Sequence, residues 1–350
     1  LTVHTILDGP AWLYQRYSEF WRRSVLAAGW AMLFVLCDLG SKAFAVEWRI
    51  VLAACIWLGG LWKPPVGYAL LIAALAYPLY LISIYVMALA LAALILSAPV
   101  AVRFLPQTWW ILAAPLFAPV SLIPLTPFLA GLWWGEAAGA VVGALAALWL
   151  KIAAAMSGDS PELWQLGGWA LRMPPIYARF HQANSLQTLL RIVEPLSRDS
   201  LTLLLHLLQI FSWAAAGFTV GLVAHHLRTA QGRAQGRVAM LSLGPGMFWV
   251  WAGYVAVPGW LGLEVPRWFE PRWLPAQVLL SGVIAWLVGL VGQYLERPLL
   301  GLRSGRATRP VSAQACDSRC GNGRMVQENV TARKKKKVHD DQDIIMIELD

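Results

Sequence analysis

Between Pro119 and Glu136 the chain reads PVSLIPLTPFLAGLWWGE, an apolar stretch that carries Pro119, Pro124 and Pro127 and stops at a carboxylate. Proline removes amide donors and breaks the helix, so the backbone around Pro124, Pro127 and Gly131 is freed to meet a solute. Glu136 would place a titratable acid beside it. Interrupted helices of this kind are common pointers to the binding sites of membrane transporters. These four residues are the candidate solute-binding positions. His206 is the one titratable group in the apolar run 201–224 and is expected to hydrogen-bond a neighbouring helix. His225 and His226 follow at the helix end, where imidazolium suits the partial negative charge, and they lack spaced ligand partners. Cys316 and Cys320 form C-x3-C, two ligands short of a zinc site. There is no G-x-S-x-G, H-E-x-x-H or P-loop pattern and no pair of intramembrane aspartates. The sequence therefore points to no catalytic residue, metal or cofactor, and enzyme is the weaker class.

The elements that must hold these residues are membrane helices. The chain is 58% hydrophobic and 13% charged, with a mean hydropathy of +0.57. A soluble domain carries about 25% charge. Residues 64–102, 104–135 and 201–224 contain no Asp, Glu, Lys or Arg, and a spanning helix needs roughly 20 mainly apolar residues. The predicted fold is all-α, a polytopic integral membrane bundle of about eight to ten segments with a broken, proline-rich hairpin. Spans are expected at 24–39, 43–62, two within 64–102 that turn near Tyr80–Ser83, 137–156, 201–224, 238–257 and 273–295. Residues 1–23 put Trp12, Leu13, Tyr17, Phe20 and Trp21 on one face flanked by arginines, the pattern of an interfacial helix. Asp38, Lys42, Glu47 and Arg49 lie at the ends of the first two spans and are expected to snorkel to the headgroups.

Charge assigns the sides. HHLRTAQGRAQGR at 225–237 carries three arginines and no acid, and is expected in the cytoplasm. The balanced loops, 157–200 with two interfacial helices and 264–272, belong outside. The basic N-terminal residues and the tail 296–350 share the inside, so the protein is expected in a plasma (bacterial inner) membrane with both termini cytoplasmic. The net charge of +9 gathers in loops and tail rather than in a basic stripe, and nucleic acid is not an expected partner.

Both ends inside make the number of crossings even. The chain must then leave the cytoplasmic side at Phe104 and be back by Glu136, with 32 uncharged residues for the trip, where two full helices need about 40. The predicted solution is a hairpin over 104–135, with a first arm from Trp109 to Ala118, a non-helical turn, and a second arm ending at Trp133–Trp134. Such backbone must be buried in protein or line a wet cavity. A rival segmentation joins 127–150 into one helix, with Gly131, Gly135, Gly139, Gly143 and Ala147 on every fourth position forming a packing ridge and Glu136 inside the membrane. In either case Gly135, Gly139, Gly143 and Ala147 are assigned to helix packing.

The segment PLTPFLAGLWWGEAAGAVVGALAALW resembles the small-residue-rich helices of membrane-embedded substrate-binding subunits of vitamin transporters. That likeness covers a small part of the chain, carries no residue-specific motif and implies no membership. Beyond a polar stretch, expected to be disordered, the tail ends in RKKKKVHDDQDIIMIELD, where Ile344, Ile345, Met346, Ile347 and Leu349 form an apolar cluster among acids. Such a cluster suits a linear motif for a cytoplasmic protein partner. Two functions follow as expectations. One is a small-solute transporter or membrane substrate-binding subunit with its site at the hairpin. The alternative is a non-enzymatic scaffold that recruits a partner through its tail. The lipid bilayer is a partner in both.

Overall fold

Long apolar runs free of charge fold as helices because lipid leaves no other way to satisfy the backbone. The computed structural model describes residues 16–120, 122–158, 173–231, 235–262 and 273–295. Among them every regular element is helical. The chain is an all-α, multi-pass membrane bundle. Outside the described residues lie 1–15, the part of the 157–200 loop from 159 to 172, Cys316 and Cys320, and the tail motif Ile344, Ile345, Met346, Ile347 and Leu349.

Helix α1 (Ser18–Ser41) is followed by α2 (Val46–Trp62), α3 (Pro64–Ile82) and α4 (Ile84–Arg103). Residues 18–23, expected in a separate interfacial helix, are instead the first turns of α1. Lys63 and Ser83 adopt extended backbone and break the apolar run into bilayer-length pieces. The Ser83 hydroxyl then accepts the Tyr85 amide and caps α4. α1 and α2 turn around Asp38, which is fully buried and accepts from the Ala43 and Phe44 amides and from Arg49 Nε at 2.5 Å. This differs from the snorkelling expected of Asp38 and Arg49. The turn is so short that Arg49, one turn into α2, reaches back to Asp38, and local amides complete the carboxylate's shell. Trp30, Phe34, Tyr68 and Leu71 form the core of this half.

The next piece is the interrupted one. Helix α5 (Leu105–Ala113) passes into a 3-10 turn (Ala114–Val120), and helix α6 starts at Leu125 and runs to Ser157. α6 is not one rod. Gly135 sits at φ 83°, ψ −173°, a conformation open essentially to glycine alone, and the chain reverses there. A β-carbon on Gly139 would lie 2.8 Å from Gly131 Cα, and one on Gly143 would lie 3.4 Å from Pro127 Cβ. Residues four and eight places either side of Gly135 are thus paired, as in an antiparallel hairpin. We call its arms α6a (125–134) and α6b (136–157). At 1.5 Å per residue α6a rises roughly 15 Å, half of a core about 30 Å thick. Trp110 on α5 meets Trp133 on α6a, ring centroids 6.1 Å apart, which closes the broken hairpin. Every residue from Ile123 to Leu132 is buried, so the freed backbone is covered by protein.

After the described gap come two short helices, α7 (Met173–Phe180) and α8 (Ser185–Val193), then α9 (Ser200–Gln231), α10 (Gln235–Trp251), a π-helical turn (Ala252–Ala256), α11 (Val257–Trp260) and α12 (Trp273–Leu295). Among the described residues six helices are long and apolar enough to cross a membrane, while the apolar stretch of α12 (275–291) and the 17-residue α2 are shorter. α7 packs Ile176 and Phe180 against Ile82, Val86 and Met156. The α3–α4 turn, the end of α6b and α7 therefore share one end of the bundle, which we call the Ser83 end. Gly135 lies at the other.

Candidate functional site

α6b and α9 run antiparallel, and glycines bring their backbones into contact. A β-carbon on Gly217 would collide with the Gly139 carbonyl, one on Gly143 with the Trp213 carbonyl, and one on Gly221 with the amide of Glu136. Gly131 on α6a meets the backbone at Gly217 and Gly221 as well. Three helical segments thus cross on glycine alone. At the Gly135 end the Arg228 guanidinium donates 2.7 Å to the Leu132 carbonyl, a basic cap on the last turn of α6a.

The contact face of α6b continues along every fourth residue: Gly139, Gly143, Ala147, then Lys151. On α9 the matching series is Gly221, Gly217, Trp213, Gln209. The two ridges therefore deliver Lys151 against Gln209 and its neighbour His206. Lys151 is 4% exposed, His206 3% and Gln209 0%. Lys151 Nζ lies 2.9 Å from His206 Nδ1 and donates 2.5 Å to Gln209 Oε1. Where the glycines touch there is no room for a side chain. One turn beyond Ala147, three long polar side chains fill the space between the helices.

This cluster sits in the interior of the C-terminal half. The apex of the broken hairpin packs below it, since Ile123 and Leu125 share a core cluster with Leu150, Trp213, Val250 and Tyr254. On the far side of α9 the Ser212 hydroxyl donates 2.8 Å to the Gln209 carbonyl. The π-helical turn brings Gly253 so close to Ser212 that a β-carbon there would overlap its hydroxyl. Ser242, Gln277 and Ser281 add further buried polar side chains on α10 and α12. Ionisable groups in membrane helices face protein interior or water and mark solute or proton pathways. An ammonium held by an imidazole and an amide can bind an acceptor or pass a proton.

The positions singled out from the sequence fall differently. Pro124, Pro127 and Gly131 are buried, and Gly131 faces α9 backbone. The start of α6a offers few backbone donors, although the buried Thr126 hydroxyl makes no hydrogen bond among the described residues. Pro124 and Pro127 lack amide hydrogens, and the Leu125 and Thr126 amides donate to the Leu122 and Ile123 carbonyls. Glu136 is half-buried and opens α6b, where a carboxylate suits the helix dipole. Gly139, Gly143 and Ala147 lie on the α9 contact, whereas Gly135 is the turn. His206 bonds a neighbouring helix through Lys151. Sequence reasoning missed Lys151 and Gln209. The signal was present: the four-residue ridge that begins at Gly131 reaches Lys151 one step after Ala147.

The Ser83 end of the site is tied down by arginine. Arg179 on α7 donates to the Ala155 carbonyl at 2.9 Å and to the Arg191 carbonyl at 2.7 Å, and Arg191 donates back to the Arg179 carbonyl. Asp199 caps α9, accepting the Thr202 amide at 2.7 Å and its hydroxyl at 2.9 Å. These bonds hold its carboxyl below the usual carboxylate range. No protein-family model matches this chain, and no curated protein or solved structure is similar to it.

Proposed function

We propose that this protein binds, and carries across its membrane, a small polar solute. Its site is the Lys151–His206–Gln209 cluster rather than the backbone of Pro124–Gly131. The observation that supports the reading is an amine 4% exposed inside a lipid-facing bundle, with an imidazole and an amide among its partners. A buried ionisable group is costly in such a setting and is a functional-site hypothesis by default. The cluster lies toward the Ser83 end of α6b, where α7 and α8 pack against α6. With the arginine-rich 225–237 segment read as cytoplasmic, the Gly135 end faces inward and the solute enters from outside. The broken hairpin then forms the floor, and the glycine crossing is the inner seal.

The test is cysteine accessibility in sealed vesicles. In a background with Cys37, Cys55, Cys316 and Cys320 replaced, Gln209→Cys is expected to react with an impermeant thiol reagent from the outer face. Val142→Cys, at the glycine crossing, is expected to stay unreactive. If Gln209→Cys is inert from both faces, the bundle is sealed and the solute reading fails. The remaining reading is then a scaffold that recruits a cytoplasmic partner through Ile344, Ile345, Met346, Ile347 and Leu349.

A further inference from the structure

An amphipathic helix ordinarily turns its apolar stripe to the core. Helix α8 (Ser185–Val193) does the reverse. At 3.6 residues per turn Leu186, Leu189, Leu190 and Val193 fall within one arc of about 100°. All four are exposed, Leu186 at 64% and Leu190 at 54%. The opposite arc holds Thr188, which is buried, and Arg191 and Ile192, which are half-buried. That side meets the bundle: Ile192 packs on the cluster of Ile82, Val86, Ile176 and Phe180, and Arg191 exchanges hydrogen bonds with Arg179 on α7. The helix is firmly started. The Asn184 side chain accepts the Gln187 amide at 2.8 Å, and the Gln187 side chain accepts the Asn184 amide at 3.2 Å, a reciprocal cap. The outward apolar arc is thus built into a well-formed element.

We infer that the apolar arc of α8 is immersed among the acyl chains of the leaflet at the Ser83 end, so that α7 and α8 form a membrane anchor rather than an aqueous loop. Three features select lipid as the occupant. The first is continuity. α8 lies against α4, a spanning helix that turns Ile84 and Leu89 outward, and the α8 arc adjoins that lipid-facing surface. The second is level. Tyr80, Tyr85 and Tyr177 are exposed at the same end, and exposed tyrosines mark the boundary between membrane and water. The third is charge. The arc carries none, and the Arg179 and Arg191 guanidinium groups are turned to the Ala155, Arg191 and Arg179 carbonyls. The exposed charges beyond the helix, Glu194, Arg198 and Asp199, are of both signs. Neither an acidic nor a basic partner is complemented, whereas an uncharged acyl chain is. α8 sits in the leaflet whether or not a solute binds.

The full chain, with Cys37, Cys55, Cys316 and Cys320 replaced, is given a nitroxide at Leu190→Cys or Gln187→Cys and placed in phosphatidylcholine nanodiscs. Collision with oxygen, which partitions into acyl chains, is compared with collision with a water-soluble nickel chelate. Leu190→Cys is expected to favour oxygen, at a depth of about 5–10 Å into the headgroup–acyl boundary. Gln187→Cys, on the polar flank of the same helix, is expected to favour nickel. Phosphatidylglycerol discs are expected to give the same depth, because apolar contact and not charge holds the helix. Leu190→Cys favouring nickel leaves the arc in water and overturns the anchor, as does immersion that appears only in phosphatidylglycerol. Strong dipolar coupling between labels on two chains, with position 190 shielded from both probes, makes a second copy the occupant and overturns it equally. If the labelled variants do not fold, the wild-type chain with 13C-methyl leucine decides. Doxyl-chain lipid is expected to broaden the Leu190 methyl resonance, assigned with Leu190→Ile, while an aqueous gadolinium chelate leaves it sharp. The reverse pattern overturns the anchor.

Discussion

Replacing Gly135 by alanine distinguishes a hairpin from a rod by the sign of a stability change. In a continuous helix over residues 125–157, glycine would be the weak point, and alanine would stabilise by roughly 0.5–1 kcal/mol. At φ 83°, ψ −173° the same change forces an L-residue into a region of order 1–3 kcal/mol above its ordinary conformations. Nothing lies within 4 Å of the β-carbon position, so no steric clash contributes and the whole effect is backbone strain. The expected result is a loss of about 1–3 kcal/mol in a reversible denaturation of the full chain in mixed micelles. Gly244→Ala is the control, since a β-carbon there meets nothing within 4 Å and no positive φ is involved. It is expected to be neutral or mildly stabilising. A Gly135→Ala protein as stable as wild type, or more stable, would refute the hairpin and with it the pairing of Gly131 with Gly139.

Gly217→Ala tests the crossing itself: a methyl group against the Gly139 carbonyl is an overpacking defect, expected to cost about 1–3 kcal/mol in the same assay. Asp38→Asn leaves Arg49 without its counter-charge and is expected to destabilise by about 3–5 kcal/mol, the range for breaking a buried pair from one side. Asp199 gives a pH signature. Its carboxyl is held below the unfolded value by the Thr202 amide and hydroxyl, so its contribution is fully present above the unfolded pKa. That contribution fades as pH falls through the lower folded pKa. The protection factor of the Thr202 amide, its exchange measured against the intrinsic rate at the same pH, should therefore fall on acidification, and Asp199→Ala should lack that protection at every pH.

Much of the architecture was legible because lipid permits so few solutions. Charge-free runs longer than 20 residues had to be helices, and prolines at 119, 124 and 127 had to interrupt one of them. The glycine periodicity was legible too, but its meaning was split. A four-residue ridge reads as one straight helix until a single glycine takes a positive φ, and only coordinates show which glycine does so. Asp38 and Arg49 were misjudged because eleven residues of separation hide a tight turn that brings them together. Lys151 was overlooked for a related reason. A lone lysine six residues from the end of an apolar run looks like one more snorkelling charge, and only the register with α9 turns it inward toward His206 and Gln209.

The glycine crossing also bears on biogenesis. α6a is too short to span, and its buried face, Pro127 and Gly131 included, rests on α9, a helix synthesised long after it. Chains emerge N-terminus first, so when the broken hairpin leaves the ribosome its partner does not yet exist. The hairpin cannot be laid down as an ordinary spanning segment. It must wait, sheltered by the insertion machinery or at the membrane surface, and slot in once the α9 glycines arrive.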